Sequence, residues 1–356
     1  MKRMFSVFLC GVEGHSLGYS QKGIIMKDQS RSRRDMLRLL GAAPLIAGAV
    51  AQAQAPTPAP AQGAQVPGAG APQGQGRGGG RGPVDFWPGL KHLLFVADTQ
   101  TGYQHDSISH AMATVEKIGR ESKTYMTMIK TDSQLITTEP IKGVGQYAGS
   151  NNINTRTLPF YDAIFMLPSG WGTMSDDQKA ALLAFVHDQG KGLIIGHAAV
   201  LAFSNEKDHT DVWPEWHEMV GAGWGGEFNA NATVIVEDTK FPGADAFGGP
   251  TFVFNEQHAV WAPPYSRDKV HVIMRLDPDK LDATNRARRP DGDFPVVIAK
   301  EYGKGRVFNT GWGHNDQTWD DPRFQKMMLE GIKWAMGLTP ADVTPRPFPE
   351  AKPAGG

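Results

Sequence analysis

The sequence predicts an α/β fold in which a doubly wound, mostly parallel sheet has helices on both faces. Short apolar runs typical of buried strands alternate with amphipathic stretches typical of helices, and this alternation is the pattern of parallel sheets covered by helices. Two helix starts carry capping residues: Ser175–Gln178 forms a capping box, and Asp321-Pro322 opens the last helix. We expect one domain over residues 86–340.

Each element follows from a local pattern. The first strand leads through a polar loop to a helix that begins at residue 108, with Asp106 or Ser107 as its cap. The second helix begins after Ser175 and ends near Gly190, and the last one ends at Gly337. The predicted strands are residues 91–97, 124–129, 161–167, 193–196, 233–236, 251–254, 270–276, 296–301 and 306–310.

The segments outside the domain have a composition of their own. Residues 32–38, "SRRDMLR", precede an apolar run and alanines at cleavage-site spacing, so we expect residues 1–55 to be a twin-arginine signal peptide. Residues 1–25 then form an extension upstream of a start at Met26. Residues 56–85 are an Ala/Pro/Gln/Gly linker too poor in apolar residues to fold, and residues 341–356 are a Pro-rich tail.

This leader predicts a periplasmic or secreted protein whose partner during secretion is the twin-arginine export machinery. No later apolar run is long enough for a membrane span in the mature protein. A net charge of −1 argues against a nucleic-acid partner. The only cysteine, Cys10, precedes the signal, so the mature chain has no thiol nucleophile. No glycine motif has the context of a nucleotide site, and nothing in the sequence indicates an oligomeric state.

Three histidines follow predicted strands, His197 directly and the other two after short loops. His105, His197 and His314 each stand beside glycine or short polar residues, at the strand ends where open α/β sheets bind ligands. We expect at least two of them to share one pocket. Two roles are open: the imidazoles could move protons near neutral pH, or they could hold a divalent metal such as zinc with one position free for a ligand.

Other side chains could contact a substrate. Glu256 and His258 are an acid–imidazole pair near a predicted strand end, and their spacing places them on one face of that strand. We expect Trp171 and Trp312, which also follow strand ends, and Trp213 to stack on a sugar ring.

Five segments taken together resemble the ThuA-like (trehalose utilisation) family. They are "GYQHDSI" (102–108), "GLIIGHAA" (192–199), "WPEWHEMVGAGWGG" (213–226), "EYGKGRVFNTGWGH" (301–314) and "DPRFQKMMLEGIKWAMG" (321–337). The resemblance implies a class I glutamine amidotransferase-like, flavodoxin-like fold. His197 then stands where that fold carries its cysteine, which excludes glutaminase chemistry. The resemblance also implies a role in carbohydrate catabolism, near the formation and breakdown of 3-keto sugars.

These observations predict an enzyme acting on a 3-keto sugar or 3-keto-glycoside as an isomerase, lyase or hydrolase. His197 and His314 would act as base and acid, while His105 and Asp106 orient them or hold a metal. The alternative is a carbohydrate-binding protein without catalysis, in which tryptophans stack on the sugar and histidines only form hydrogen bonds. A third reading is an interaction domain displayed on the linker.

Overall fold

The β-strands of the domain form one large mixed sheet. The computed structural model describes residues 88–97, 103–149, 153–167, 174–204 and 212–349, which belong to one unit, 77–356. The predicted signal peptide, the linker and residues 350–356 lie outside the described residues. The described strands are β1 (Lys91–Val96), β2 (Tyr125–Lys130), β3 (Ile141–Lys142), β4 (Ile153–Asn154), β5 (Ala163–Met166), β6 (Gly192–Gly196), β7 (Gly223–Val236), β8 (Thr251–Ala262), β9 (His271–Leu276), β10 (Pro295–Tyr302) and β11 (Gly305–Thr310).

Half of this sheet is parallel and half is antiparallel. The nine strands lie in the order β2-β1-β5-β6-β11-β10-β9-β7-β8. The pairs from β2 to β11 are parallel, whereas β10, β9, β7 and β8 pair antiparallel. β10 and β11 are joined by a tight turn, which only antiparallel neighbours allow. The α/β class is therefore confirmed as a mixed sheet, and the doubly wound arrangement stays a prediction.

Helices cover both faces of the parallel half. The described helices are α1 (Ile108–Glu121), α2 (Asp176–His187), α3 (Pro214–Val220), α4 (Ala283–Arg286), α5 (Asp316–Asp320) and α6 (Pro322–Ala335). Side chains of α1 and α6 pack with Ile194 of β6, while those of α2 and α3 pack with its neighbours Leu193 and Ile195. Successive residues of this buried strand thus point to opposite faces.

The helix caps follow the sequence closely. Ser175 Oγ accepts a hydrogen bond from Gln178 N at 3.3 Å and Gln178 Oε1 accepts one from Ser175 N at 2.9 Å, which confirms the capping box. Asp321 caps α6 by accepting from Arg323 N at 2.8 Å. Ser107 is the residue before α1, but its side chain makes no capping bond. None of the helices in the described part of the chain combines the length and apolar character needed to cross a bilayer.

Sequence patterns found the existence of most elements but not the extent of two. β7 begins at Gly223 and β8 runs to Ala262, well beyond the predicted 233–236 and 251–254. The glycines and polar residues in these extensions suppress the strand signal, while cross-strand pairing over the whole length supplies the hydrogen bonds. The short helices α3, α4 and α5 and the β3–β4 pair were not predicted.

Candidate functional site

Three histidines from distant parts of the chain meet at one edge of the sheet. His105 lies in the loop after β1, His197 follows β6 directly, and His314 lies in the loop after β11. His197 Nε2 is 3.1 Å from His105 Nε2 and 3.2 Å from His314 Nδ1. The parallel pairing of β1, β5, β6 and β11 explains the meeting, because carboxyl ends of parallel strands share one edge.

The backbone turns sharply at His197. Its φ of 41° lies in the left-handed region, which costs a non-glycine residue about 1 kcal/mol or more. A short 3-10 turn, His197–Val200, follows immediately. The turn carries the imidazole from a buried strand to the edge of the sheet, although the side chain itself is almost fully buried. Such strain is typical of functional sites.

The hydrogen bonds of His197 define its protonated nitrogen. Nδ1 lies 3.3 Å from the carbonyl oxygen of Gly311, and a carbonyl only accepts, so Nδ1 carries the hydrogen. Nε2 of the neutral ring is therefore an unprotonated lone pair that faces His105 and His314. This arrangement, with one nitrogen bound to a carbonyl and the other free to accept, is common among metal-binding histidines.

A buried carboxylate holds the loop that carries His314. Glu256 Oε1 accepts hydrogen bonds from Gly313 N at 2.6 Å and His314 N at 2.8 Å. The side chains of Asn315, at 2.7 Å, and Thr318, at 3.2 Å, also donate to Glu256. Burial raises the pKa of Glu256, and the surrounding backbone N–H groups oppose that shift. Glu256 thus sets the path of the loop without reaching the cluster.

The loop is also held from its other side. The carbonyl oxygen of Gly313 accepts from Ser107 Oγ at 2.8 Å and from Trp319 Nε1 at 2.9 Å. Gly313 has a φ of 128°, and a Cβ there would lie 2.9 Å from the Trp319 ring, so only glycine fits without displacement. Because Ser107 is two residues from His105, its bond couples the loops that carry His105 and His314.

The three imidazoles are neutral at neutral pH. Burial, assisted by the neighbouring His105, lowers the pKa of His197 to about 3. Burial, assisted by His314, lowers the pKa of His105 to about 4. Burial also lowers the pKa of His314, while the Asp106 charge opposes the shift there and at His105. Neutral rings are able to accept a proton or bind a cation through their lone pairs.

The members of the cluster differ in exposure. His197 is buried, whereas His105 and His314 are partly exposed and Asp106 is exposed. A crevice beside His105 and His197 is too small to admit a water molecule, far below the roughly 300–1,000 Å³ of typical ligand pockets. A larger cleft of about 450 Å³, lined by Leu90 and Tyr125 among others, lies at the opposite edge of the sheet. Chemistry at the histidines therefore concerns a small group presented from the open side.

Two predicted sugar contacts are instead core residues. The Trp312 indole is fully buried, lies 4.5 Å from the Phe254 ring between centroids, and donates its Nε1–H to His258 Nδ1 at 3.2 Å. His258 is fully buried too, and its Nε2 lies 3.1 Å from Ala230 O. Neither side chain reaches solvent in the described structure, so their positions give no support to the predicted sugar contacts of Trp312 and His258.

The remaining predictions have mixed outcomes. Trp213 is buried against Trp216, with ring centroids 5.8 Å apart, so its position gives no support to the predicted sugar stacking either. Glu256 and His258 do share a face of β8, but they lie inside that strand and Glu256 supports a loop. Trp171 lies outside the described residues. The sequence analysis missed Ser107 as a link between loops, although a serine directly after the "HD" pair was visible.

Comparison with known proteins adds the following. A family model described as ThuA, trehalose utilisation, matches residues 93–335, and no curated protein matches significantly. A ThuA-like protein from Bacteroides uniformis superimposes with a TM-score of 0.51 at 17% identity, over 72% of this chain and 95% of that one. A ThuA-like protein from Parabacteroides merdae gives 0.48 at 16% identity, over 69% and 90%. A β-galactosidase from Bacillus circulans gives 0.43 at 9% identity, over 70% of this chain and 32% of that one.

Proposed function

Because its family model spans most of the folded chain, this protein belongs to the ThuA (trehalose utilisation) family, as its motifs predicted, and we propose that it is an exported enzyme of carbohydrate catabolism. Its substrate is a 3-keto sugar or 3-keto-glycoside. The reaction is an isomerisation, elimination or hydrolysis that depends on proton transfer at the three histidines.

One observation carries this proposal: three neutral imidazoles from separate strand ends form a cluster in which His197 lies within hydrogen-bond distance of both His105 and His314. Burying polar rings together without charged partners costs free energy. The cost is difficult to explain by stability alone, since apolar residues would fill the same space. Perturbed histidines at the ligand-binding edge of an α/β sheet are typical of a reaction centre.

A ketone makes the neighbouring carbon acidic, so a weak base is sufficient. His314 is partly exposed. Its imidazole takes the proton as the C–H bond breaks, and the electron pair of that bond moves to the ketone oxygen to give an enediolate. The Asp106 charge favours the protonated ring, and His197 Nε2, 3.2 Å away, accepts the shared proton. Returning the proton to another carbon isomerises the sugar. Delivering it to the glycosidic oxygen, as the C–O bond breaks, completes an elimination.

The fold offers no thiol for amide hydrolysis. The only cysteine of the chain is Cys10, and His197 takes the place where the resemblance puts a catalytic cysteine. We therefore do not assign glutaminase activity. The signal-like segment at residues 32–38 supports export to the periplasm, where disaccharide-derived keto sugars would meet the enzyme.

The test is hydrogen exchange at the carbon beside the ketone. Purified mature protein is incubated in D₂O with 3-keto-disaccharides, and deuterium incorporation and products are followed by mass spectrometry. We expect exchange and turnover in wild type and a loss of at least about 100-fold in His314→Ala, since general acid–base catalysis contributes about 10²–10⁴-fold.

The control is His187→Ala, which removes an exposed imidazole paired with Asp188 and should retain full activity. Saturable sugar binding without exchange in wild type would contradict the enzyme proposal and favour the carbohydrate-binding alternative. The burial of Trp312 and Trp213 weighs against that alternative, because it removes two of the indoles on which it relied.

A further inference from the structure

The spacing of the three ring nitrogens matches a set of metal ligands. One atom from each of His105, His197 and His314 lies within 4.8 Å of the others, and the two shortest separations are 3.1 and 3.2 Å. Zinc–nitrogen bonds of about 2.0–2.1 Å at tetrahedral angles place two ligand nitrogens about 3.3–3.4 Å apart. The cluster therefore needs shifts of only a few tenths of an ångström at those two contacts to surround an ion.

Hydrogen bonds alone do not satisfy this cluster. Since the His197 Nδ1 hydrogen points to Gly311 O, Nε2 offers a single lone pair, yet two other ring nitrogens approach it. That lone pair can accept one good hydrogen bond, from either His105 or His314. The other ring then either competes for the same lone pair or turns its own lone pair towards it, which is repulsive. A cation between the rings would satisfy all three lone pairs at once.

The surroundings position the rings as ligands. The Gly311 carbonyl orients His197, and the Glu256 carboxylate fixes the backbone of His314. Ser107, through Gly313, ties the His105 loop to the His314 loop. Supporting hydrogen bonds of this kind are characteristic of metal sites, where they set ring orientation. A core made of apolar side chains would need none of these three hydrogen bonds.

From this geometry we infer that His105, His197 and His314 bind one divalent transition metal of the zinc class, with a coordination position open to solvent. Imidazole nitrogens favour zinc, copper, nickel and iron over magnesium or calcium. Three protein ligands with a partly exposed side are typical of catalytic zinc sites. Such an ion, when bound, polarises a carbonyl oxygen or activates a water molecule. This inference rests on the same cluster as the proposed function. With an ion bound, the ring lone pairs would be ligands and the water molecule activated by the ion would be the base, so metal binding is tested separately, without sugar.

The experiment measures metal binding directly. The mature protein is stripped with a chelator and titrated with Zn²⁺ by calorimetry, and Co²⁺ is added separately to record its visible absorption. We expect one Zn²⁺ per chain and the intense absorption of four- or five-coordinate Co²⁺. His105→Ala and His314→Ala should each weaken binding more than about 100-fold, because loss of a supporting bond alone costs about 10–100-fold.

Two features keep the test decisive. His105 and His314 are partly exposed, so their alanine variants should fold, which circular dichroism verifies, and His187→Ala controls for surface imidazoles. Equal Zn²⁺ affinity in wild type and both variants overturns the inference. Wild-type protein that binds no Zn²⁺ but exchanges deuterium into a keto sugar overturns the metal site and leaves the proposed function intact. Tight Zn²⁺ binding at these histidines without action on any keto sugar supports the metal site and contradicts the proposed function.

Discussion

The loop that carries His314 should depend on Glu256 more than on any surface charge. Replacing Glu256 by alanine removes the acceptor for Gly313 N, His314 N and Gln257 N and for the Asn315 and Thr318 side chains. Each buried donor left without a partner costs about 1–3 kcal/mol. The side-chain donors can turn to new partners, but the backbone donors cannot. The alanine variant also no longer has the desolvation penalty of a buried carboxylate, which offsets part of the loss. We therefore expect a net loss of about 3–5 kcal/mol.

Glu256→Gln separates charge from shape. The amide oxygen can replace Oε1 and keep the bonds to Gly313 and His314. The new NH₂ group would face the Gln257 N–H and the Asn315 side-chain NH₂, of which only the side chain can turn away. One lost backbone bond predicts a smaller loss, of about 1–2 kcal/mol. The assay is urea unfolding followed by tryptophan fluorescence, with free energies obtained from the midpoint and slope.

The control is Glu301→Ala, which removes an exposed carboxylate of β10 and should change stability by less than about 0.5 kcal/mol. If Glu256→Ala unfolds within that same margin of wild type, the carboxylate does not hold the loop. If Glu256→Ala and Glu256→Gln lose equal stability, the loss does not depend on how many backbone N–H groups are left without an acceptor, and the reasoning is refuted.

Three further expectations follow from single contacts. Trp312→Ala should lose about 3–5 kcal/mol in urea unfolding, as expected for a buried aromatic, and unchanged stability would show that the indole is not a core residue. At Asp162, burial raises the carboxyl pKa, but the His92 N–H and Lys91 outweigh it, so the net pKa lies below 3.8. Its stabilisation is complete above that value and is lost as the pH falls through the lowered folded-state pKa, so Asp162→Asn should cost about 1 kcal/mol at neutral pH. The gap to wild type should shrink in acid, and a gap independent of pH would contradict the assignment. Changing Arg33 and Arg34 to lysine should leave the precursor in the cytoplasm, as checked by fractionation and immunoblotting, whereas undiminished periplasmic protein would refute the export signal.

Local sequence signals were sufficient wherever structure is decided within a few residues. The capping box at Ser175 and the Asp321 cap both form as predicted, because a cap joins a side chain to a backbone group two or three positions away. Buried strands such as β1 and β6 were found for a related reason: a short continuous run of apolar residues favours a buried strand whichever strands it pairs with. The antiparallel half was harder to predict, since its long strands depend on partners rather than on composition.

The tryptophans show where this reasoning failed. Indoles outside regular apolar spacing were expected in loops and on a sugar, yet Trp312 and Trp213 are buried. Large aromatic side chains can fill a core from irregular positions. The neighbouring residues do not show whether another segment of the chain will pack over such a side chain and bury it. The same limit applies to Glu256, whose role depends on a loop almost sixty positions away in the chain.

The sequence alone determined which segments form the buried parallel strands and where the capped helices begin. It also determined that His105, His197 and His314 each follow a strand. Those are properties of short segments, so no partner is needed to read them. Tertiary structure alone decided that the three nitrogens converge within 4.8 Å and that Gly311 fixes the free lone pair of His197. It also decided that three predicted sugar contacts, Trp213, His258 and Trp312, are buried. Strand order, register and burial arise from contacts between segments far apart in the chain, and a site assembled from such segments exists only once those contacts form.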